Sequence, residues 1–318
     1  MSTPVAAGVR EQLAVLGYGG GWSTVRRLPE RAAYASFDRL ADAAWRRKGH
    51  GVLRLEANLA RALDVPAGST EIREASRAGM RSYFRYWCDA FRLPDWDRER
   101  VVSRVRVEGE HRLRDNLASG RGVVAALPHM ANWDHAGAWA CLTGVPVTTV
   151  AERLRPERLY DRFVAYRTGL GMEVLPLTGG REEVFGALVR RLREPRLVPL
   201  LADRDLTSRG VEVELLGEPA RLPPGPAALA LRTGAALLPV TLAYEGDAPD
   251  HRLVIWFHEE VPPPADGTGR PRHTAMTQRL ADVFSAGIRS TPQDWHMLQT
   301  VFSADLDQRR PPGVGIHR

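Results

Sequence analysis

One change of rhythm constrains this chain more than any other feature. Ahead of Pro94-Asp95-Trp96-Asp97, apolar residues recur at three- and four-residue spacing; beyond it, strand-length apolar runs alternate with helical stretches. The first pattern predicts helices over 30–47, 52–63 and 70–91, with Gly17, Gly19, Gly20 and Gly21 interrupting any helix ahead of them. The second predicts strands over 101–107, 122–127, 145–150, 173–177, 196–202, 237–243 and 252–258. Helices are predicted between them over 110–117, 156–170, 182–192 and 226–233, with a last one over 274–289. Short buried strands alternating with helices call for an α/β fold, a mostly parallel or mixed central sheet flanked by helices. The expected organisation is a helical N-terminal portion (1–94) packed on an α/β core (95–308) as a single domain, followed by a loose tail (309–318).

Composition narrows the class. Cys88 and Cys141 are the only cysteines, which excludes a disulfide scaffold or a Cys-rich zinc cluster and fits a reducing, cytoplasmic setting. The chain does not open on a basic start followed by an unbroken apolar stretch, so no secretory signal is expected. The longest apolar run, 227–243, carries Arg232 in its middle and Pro239 further on. A spanning helix needs ~20 largely uncharged residues, so a soluble or peripheral protein is expected. The net charge of +6 rests on arginine, Lys48 being the sole lysine. That bias reads either as a product of GC-rich coding or as attraction to phosphate-bearing partners. With no zinc-finger spacing, RNP-type strand or lysine-rich arm, nucleic acid is not an expected partner.

Chemistry concentrates at strand ends. His129 directly follows the buried run 122–127, in Leu127-Pro128-His129-Met130-Ala131-Asn132-Trp133-Asp134-His135. Asn132 suits the N-cap of a helix reaching to about Leu142. Five residues of ideal helix turn a side chain by ~500°, so His129 and Asp134 share no helical face. They meet only if the histidine is on the loop and the aspartate in the first helical turn. An imidazole beside a carboxylate at the carboxyl end of a strand suits a general base. Metal ligation ranks low, since His129 and His135 lie six residues apart with no further ligands nearby, and His135 reads as a packed or capping residue. A second polar cluster, Asp203-Arg204-Asp205, follows the strand over 196–202 in the same way. A third runs through Thr149, Glu152, Arg153 and Arg155 to Arg167 on the next helix, where guanidinium groups either clamp a phosphate or serve as surface charge.

These residues have a family resemblance. Leu-Pro-His129-x4-Asp134, Val150-Ala-Glu-Arg-Leu154 and the stretches 171–180 (GMEVLPLTGG), 202–217 (ADRDLTSRGVEVELLG), 233–239 (TGAALLP) and 294–299 (DWHMLQ) together resemble the bacterial lipid A biosynthesis / lysophospholipid acyltransferase superfamily. Within it, the chain looks most like the actinobacterial phosphatidylinositol mannoside acyltransferases, over almost its whole length. The resemblance implies a glycerolipid acyltransferase-like fold and acyl transfer from acyl-CoA, typically palmitoyl, to a mannose 6-hydroxyl of a phosphatidylinositol mannoside or related glycolipid. It implies no cofactor or metal, acyl-CoA being a co-substrate. It places the work at the cytoplasmic face of the plasma membrane, on an anionic surface, by a peripheral protein. His129 is then the general base, with Asp134 and Asp203 both open as its partner. The position of Asp203 is a glutamate in the mannoside enzymes and an aspartate in the wider lipid A branch. Glu152 and Arg167, with Arg153 and Arg204, would hold the acceptor's sugar and phosphate. A non-catalytic lipid-binding protein of the same fold is the alternative from another class. Tyr83, Phe84, Tyr86, Trp87 and Phe91 read as core, and the stretch 26–47, where Tyr34, Phe37 and Trp45 follow Trp22 among arginines, is the candidate membrane face.

Overall fold

Three amphipathic helices come first: α1 (Glu30–Arg46), α2 (His50–Leu63) and α3 (Thr70–Arg92). The computed structural model describes residues 25–152, 157–177, 183–205, 210–265 and 270–307, so the glycines predicted to interrupt the start, Trp22 and the tail lie outside the described residues. Ser69 caps α3 by accepting a hydrogen bond from the Ile72 N–H (3.2 Å). Tyr34 and Phe37 of α1 are buried with Cys88 of α3, against Phe84, Trp87 and Phe91. Val52, Leu55 and Leu59 of α2 bury against Ile72 and Met80, with Trp45 packed beside them. Tyr34 and Phe37, three residues apart, therefore belong to the packing against α3 and not to a membrane face, while Trp45 is half-buried beside the α2 cluster.

The sheet is laid down by β1 (Val105–Glu108), β2 (Val123–Leu127), β5 (Leu197–Leu201), β8 (Ala236–Glu245) and β9 (Arg252–Phe257), in the order β1-β9-β8-β2-β5. It is mixed. β1 is parallel to β9, β8 antiparallel to β9, and β2 lies parallel to both of its neighbours, β8 and β5. Beyond β5, β3 (Thr148–Ala151) and β4 (Glu173–Pro176) form a parallel pair, joined to β5 by the parallel bridge Val147–Leu197. Every residue of β2 is buried, as expected of a strand covered on both faces. The strand starts tightly: a Cβ on Gly122 would fall 2.4 Å from the Leu192 carbonyl oxygen, so only glycine lets the two segments approach.

Helices α4 (Arg98–Ser103), α5 (Glu110–Ala118), α6 (Trp133–Leu142), α7 (Glu157–Gly169), α8 (Val184–Arg191), α9 (Gly225–Thr233) and α10 (Arg270–Ser290) accompany the strands, with a short α11 (Ser303–Asp307) at the end. Two elements depart from the sequence expectation. The strand predicted over 101–107 begins as α4, because Asp97 accepts from the Arg100 N–H (2.8 Å) and starts a helix; the strand proper is Val105–Glu108. An unpredicted antiparallel hairpin, β6 (Val211–Leu215) and β7 (Glu218–Leu222), turns through Leu216 and Gly217, both at positive φ. Those angles fit the two-residue turns that match strand twist. Among the described residues no helix is long and apolar enough to cross a membrane.

Candidate active site

The parallel pairing of β2 with β5 brings the two predicted clusters together. Leu127 is in register with Leu201, and the Ala202 N–H donates to the Leu127 carbonyl (2.8 Å). His129 and Asp203 each lie two residues past that last rung, at the carboxyl edge where open α/β sheets bind ligands. The Asp203 side chain is wholly buried, and its Oδ1 lies 2.5 Å from His129 Nδ1. Oδ2 accepts the His129 peptide N–H (2.9 Å) and the Trp295 indole N–H (2.9 Å). Burial alone would push the Asp203 carboxyl up; the His129 imidazole and these donated hydrogen bonds outweigh it and hold it below the ordinary aspartate value. An ionised Asp203 fixes the imidazole proton on Nδ1 and leaves Nε2 as the basic nitrogen.

Asp134 does not share that imidazole. It sits in the first turn of α6 as the sequence predicts, and Asn132 caps the helix by accepting from the His135 N–H (2.9 Å). Its carboxylate, however, is taken by Arg167 of α7 (Nε to Oδ1, 2.6 Å) and by the Tyr86 hydroxyl of α3 (2.8 Å). Of the two candidate partners of His129, the structure pairs it with Asp203. A wholly buried carboxylate reached from the next parallel strand is better placed than one facing a neighbouring helix. Burial works against the Arg167 charge, but the Asp134 carboxylate more than compensates, so the guanidinium stays ionised.

The remaining predicted residues fall around this edge. Glu152 directly follows β3 and is exposed, while Arg204 is half-buried beside Asp203. Arg153 lies outside the described residues. His135 is buried inside α6 with its ring nitrogen 2.9 Å from the Val101 carbonyl and edge-on to Trp96; burial pushes its pKa down to about 4. It is a structural histidine.

Several residues around the dyad carry no role in the sequence reading. Trp133 meets the His129 ring edge-on (5.6 Å between centroids) and stacks on Tyr86 (4.4 Å). The stretch Asp294–His296 runs against the His129 loop: the His296 N–H donates to the His129 carbonyl (2.8 Å) and the Ala131 N–H to that of Asp294 (2.9 Å). Asp294 is held by the Ser82 hydroxyl (2.6 Å) and the Tyr244 N–H (2.9 Å). The available signal was the stretch 294–299 itself, a motif with no assigned function.

Beneath the loop, Asp89 of α3 accepts from Tyr34 (2.5 Å), Tyr244 (3.2 Å) and Asn132 (3.4 Å) and pairs with His251 (3.1 Å). Burial opposes its charge, but His251 and the hydroxyl of Tyr34 hold its pKa down at about 2. This buried hub ties α1, α3 and the end of the sheet to the residue that caps α6.

The edge thus carries an imidazole oriented by a buried carboxylate and, separately, a buried Arg–Asp pair. Residues 8–303 match the family model described as bacterial lipid A biosynthesis acyltransferase. A phosphatidylinositol mannoside acyltransferase of Mycolicibacterium smegmatis (strain ATCC 700084 / mc(2)155) is 46% identical over 304 residues, covering 96% of each chain. A protein of the same name in Mycobacterium tuberculosis (strain ATCC 25618 / H37Rv) is 45% identical over 295 residues, 92% of this chain and 90% of its own. With matches of that extent, this chain belongs to the bacterial lipid A biosynthesis acyltransferase family.

Proposed function

We propose that this protein transfers an acyl group from acyl-CoA, with palmitoyl-CoA as the expected donor, to a mannose 6-hydroxyl of a phosphatidylinositol mannoside. The acceptor rests on the names of the relatives. The mechanism rests on one observation above others, the Asp203–His129 pair that leaves Nε2 as the base. His129 Nε2 takes the proton of the sugar hydroxyl as its oxygen attacks the thioester carbonyl. The tetrahedral intermediate collapses with cleavage of the C–S bond, and the imidazolium returns the proton to the leaving thiolate as CoA-SH. No acyl-enzyme is needed. General-base assistance of this kind contributes ~10²–10⁴-fold; the rest falls to positioning and oxyanion stabilisation. The Arg167 guanidinium suits the acceptor's phosphate, and Glu152 and Arg204 stand at the same edge as sugar-binding groups.

Work at the cytoplasmic face of the plasma membrane follows from the lipid acceptor. With Tyr34 and Phe37 turned inward, the candidates for lipid contact are the exposed leucines Leu40 of α1 and Leu53 of α2, with exposed Arg39, Arg46 and Arg47 close to them in sequence.

The test is release of CoA-SH from palmitoyl-CoA by purified protein, with and without a phosphatidylinositol mannoside, for the natural sequence and His129→Ala. Acceptor-dependent release abolished by the substitution supports both reaction and base. Release that survives His129→Ala overturns the mechanism. Release that needs His129 but not the acceptor overturns the acceptor, and a panel of other glycolipids and lysophospholipids then identifies it.

A further inference from the structure

Asp203 has two oxygens and three hydrogen bonds, and one of those bonds comes from outside the dyad. Trp295 is fully buried, and its indole N–H, which can only donate, lies 2.9 Å from Oδ2. Its backbone is fixed independently, by the antiparallel bridge between Met130 and Trp295 and by the flanking bonds from Ala131 to Asp294 and from His296 to His129. Asp294 is anchored in turn by Ser82 of α3 and Tyr244 of β8. The indole thus reaches the carboxylate from a segment held by its own backbone and side-chain bonds.

Resting on the reading of His129 as the base, we infer that Trp295 is a positioning residue of the acyl transfer, its indole N–H fixing the rotation and charge of the Asp203 carboxylate that orients His129. The argument is geometric. With Oδ2 occupied by two donors, the carboxylate cannot rotate without breaking both, so Oδ1 stays on Nδ1 and Nε2 stays aimed outward. The indole also draws off part of the Asp203 charge, which would otherwise bear wholly on the imidazole and raise its affinity for a proton. Among the described residues, the neighbouring charged or titratable groups have partners or surroundings of their own. His296 is buried with its pKa pushed down to about 3 by burial and by the neighbouring His129 and Arg85, and is neutral. Its Nε2 faces the Ser82 hydroxyl (2.9 Å), which donates to Asp294. Asp134 is paired with Arg167. Arg204 neighbours Asp203 in the chain and is half-buried. Among the described residues, Trp295 is the one side chain other than His129 that donates to Asp203.

The experiment replaces the N–H while keeping the ring. Trp295→Phe removes it with some loss of volume. Incorporation of 3-benzothienylalanine at position 295, where sulfur replaces the N–H, removes it with almost none and keeps the test valid if Trp295→Phe fails to fold. The readouts are kcat, KM and the pH profile of kcat/KM with palmitoyl-CoA and phosphatidylinositol mannoside. The expected result is a fall in kcat of roughly tenfold, the scale of a lost hydrogen bond to a charged group. KM should stay near its natural value, and the acid limb should move up, because the carboxylate without the indole N–H bears more strongly on the imidazole. An unchanged kcat with a coincident acid limb, or a rise in KM alone, overturns the role. His129→Ala run alongside separates the two readings: an inactive His129→Ala with a silent change at 295 removes only the Trp295 assignment, whereas an active one removes the base itself.

Discussion

Arg167 closes on Asp134 with its Nε 2.6 Å from Oδ1, and the same carboxylate accepts the Tyr86 hydroxyl. Three helices therefore meet on one buried charge: α3 through Tyr86, α6 through Asp134 and α7 through Arg167. Removing the arginine leaves the buried Asp134 carboxyl without its counter-ion. Arg167→Ala should lower the unfolding free energy by about 3–5 kcal/mol, measured by urea denaturation. The double variant Arg167→Ala with Asp134→Asn should regain part of that loss. Equal loss in the double variant would show that the pair itself contributes little.

Asp203→Asn tests the dyad without emptying the site. The amide cannot act as an ionised acceptor for Nδ1–H, and if it presents its NH₂ to Nδ1 the imidazole proton moves to Nε2. The base is then lost with every ring still in place. The expected fall in kcat is about 10²–10⁴-fold, with the protein still folded by circular dichroism. An activity within a factor of a few of the natural enzyme would remove Asp203 from the mechanism.

His135 makes stability depend on pH in a stated direction. Its folded pKa, pushed down to about 4 by burial, lies below the ordinary histidine value near 6.5, so the unfolded chain binds the extra proton first. Stability is full above about pH 6.5 and declines as the pH falls toward about 4. The cost at the lower end is on the order of 3 kcal/mol. His135→Gln, which keeps a donor for the Val101 carbonyl, should flatten this part of the melting-temperature profile. A profile as steep as the natural one would place the acid sensitivity elsewhere.

The exposed leucines give a membrane prediction. Leu40→Glu with Leu53→Glu replaces apolar contacts on α1 and α2 by charges that an anionic surface repels. Co-sedimentation with phosphatidylinositol-containing vesicles should drop several-fold, while CoA-SH release from detergent-dispersed substrates stays unchanged. Undiminished sedimentation would move the contact to another face.

What could be read from the sequence follows the reach of local signals. The all-apolar run ending at Leu127 declared β2, and Asn132 three residues before His135 declared the start of α6; both signals act within a few residues. The α4 helix was hidden because Val101, Val105 and Val107 alternate like a strand, and only the Asp97 cap shows that the first of them is helical. The β6–β7 hairpin carries a clear alternation, Val211, Val213 and Leu215 inward with Glu212 and Glu214 outward, but its turn uses Leu216 at positive φ, a residue that does not announce one. That Tyr34 and Phe37 face α3 is not legible locally, because an aromatic stripe among arginines looks the same against a helix as against a lipid surface. The choice between Asp134 and Asp203 had no local signal, since the answer lies in strand register across 74 residues of chain.

That register has a consequence for how the protein acquires activity. β2 and β5 are separated by two further strands and three helices in the chain, and slipping their pairing by one residue would displace Asp203 by ~3.3 Å and turn its side chain to the other face. The dyad consequently exists only once these distant strands have zipped in the right alignment, an entropically costly contact that forms late in folding. A refolding chain would show its helices first and its capacity for proton transfer last. Recovery of turnover then serves as a clock for closure of the sheet.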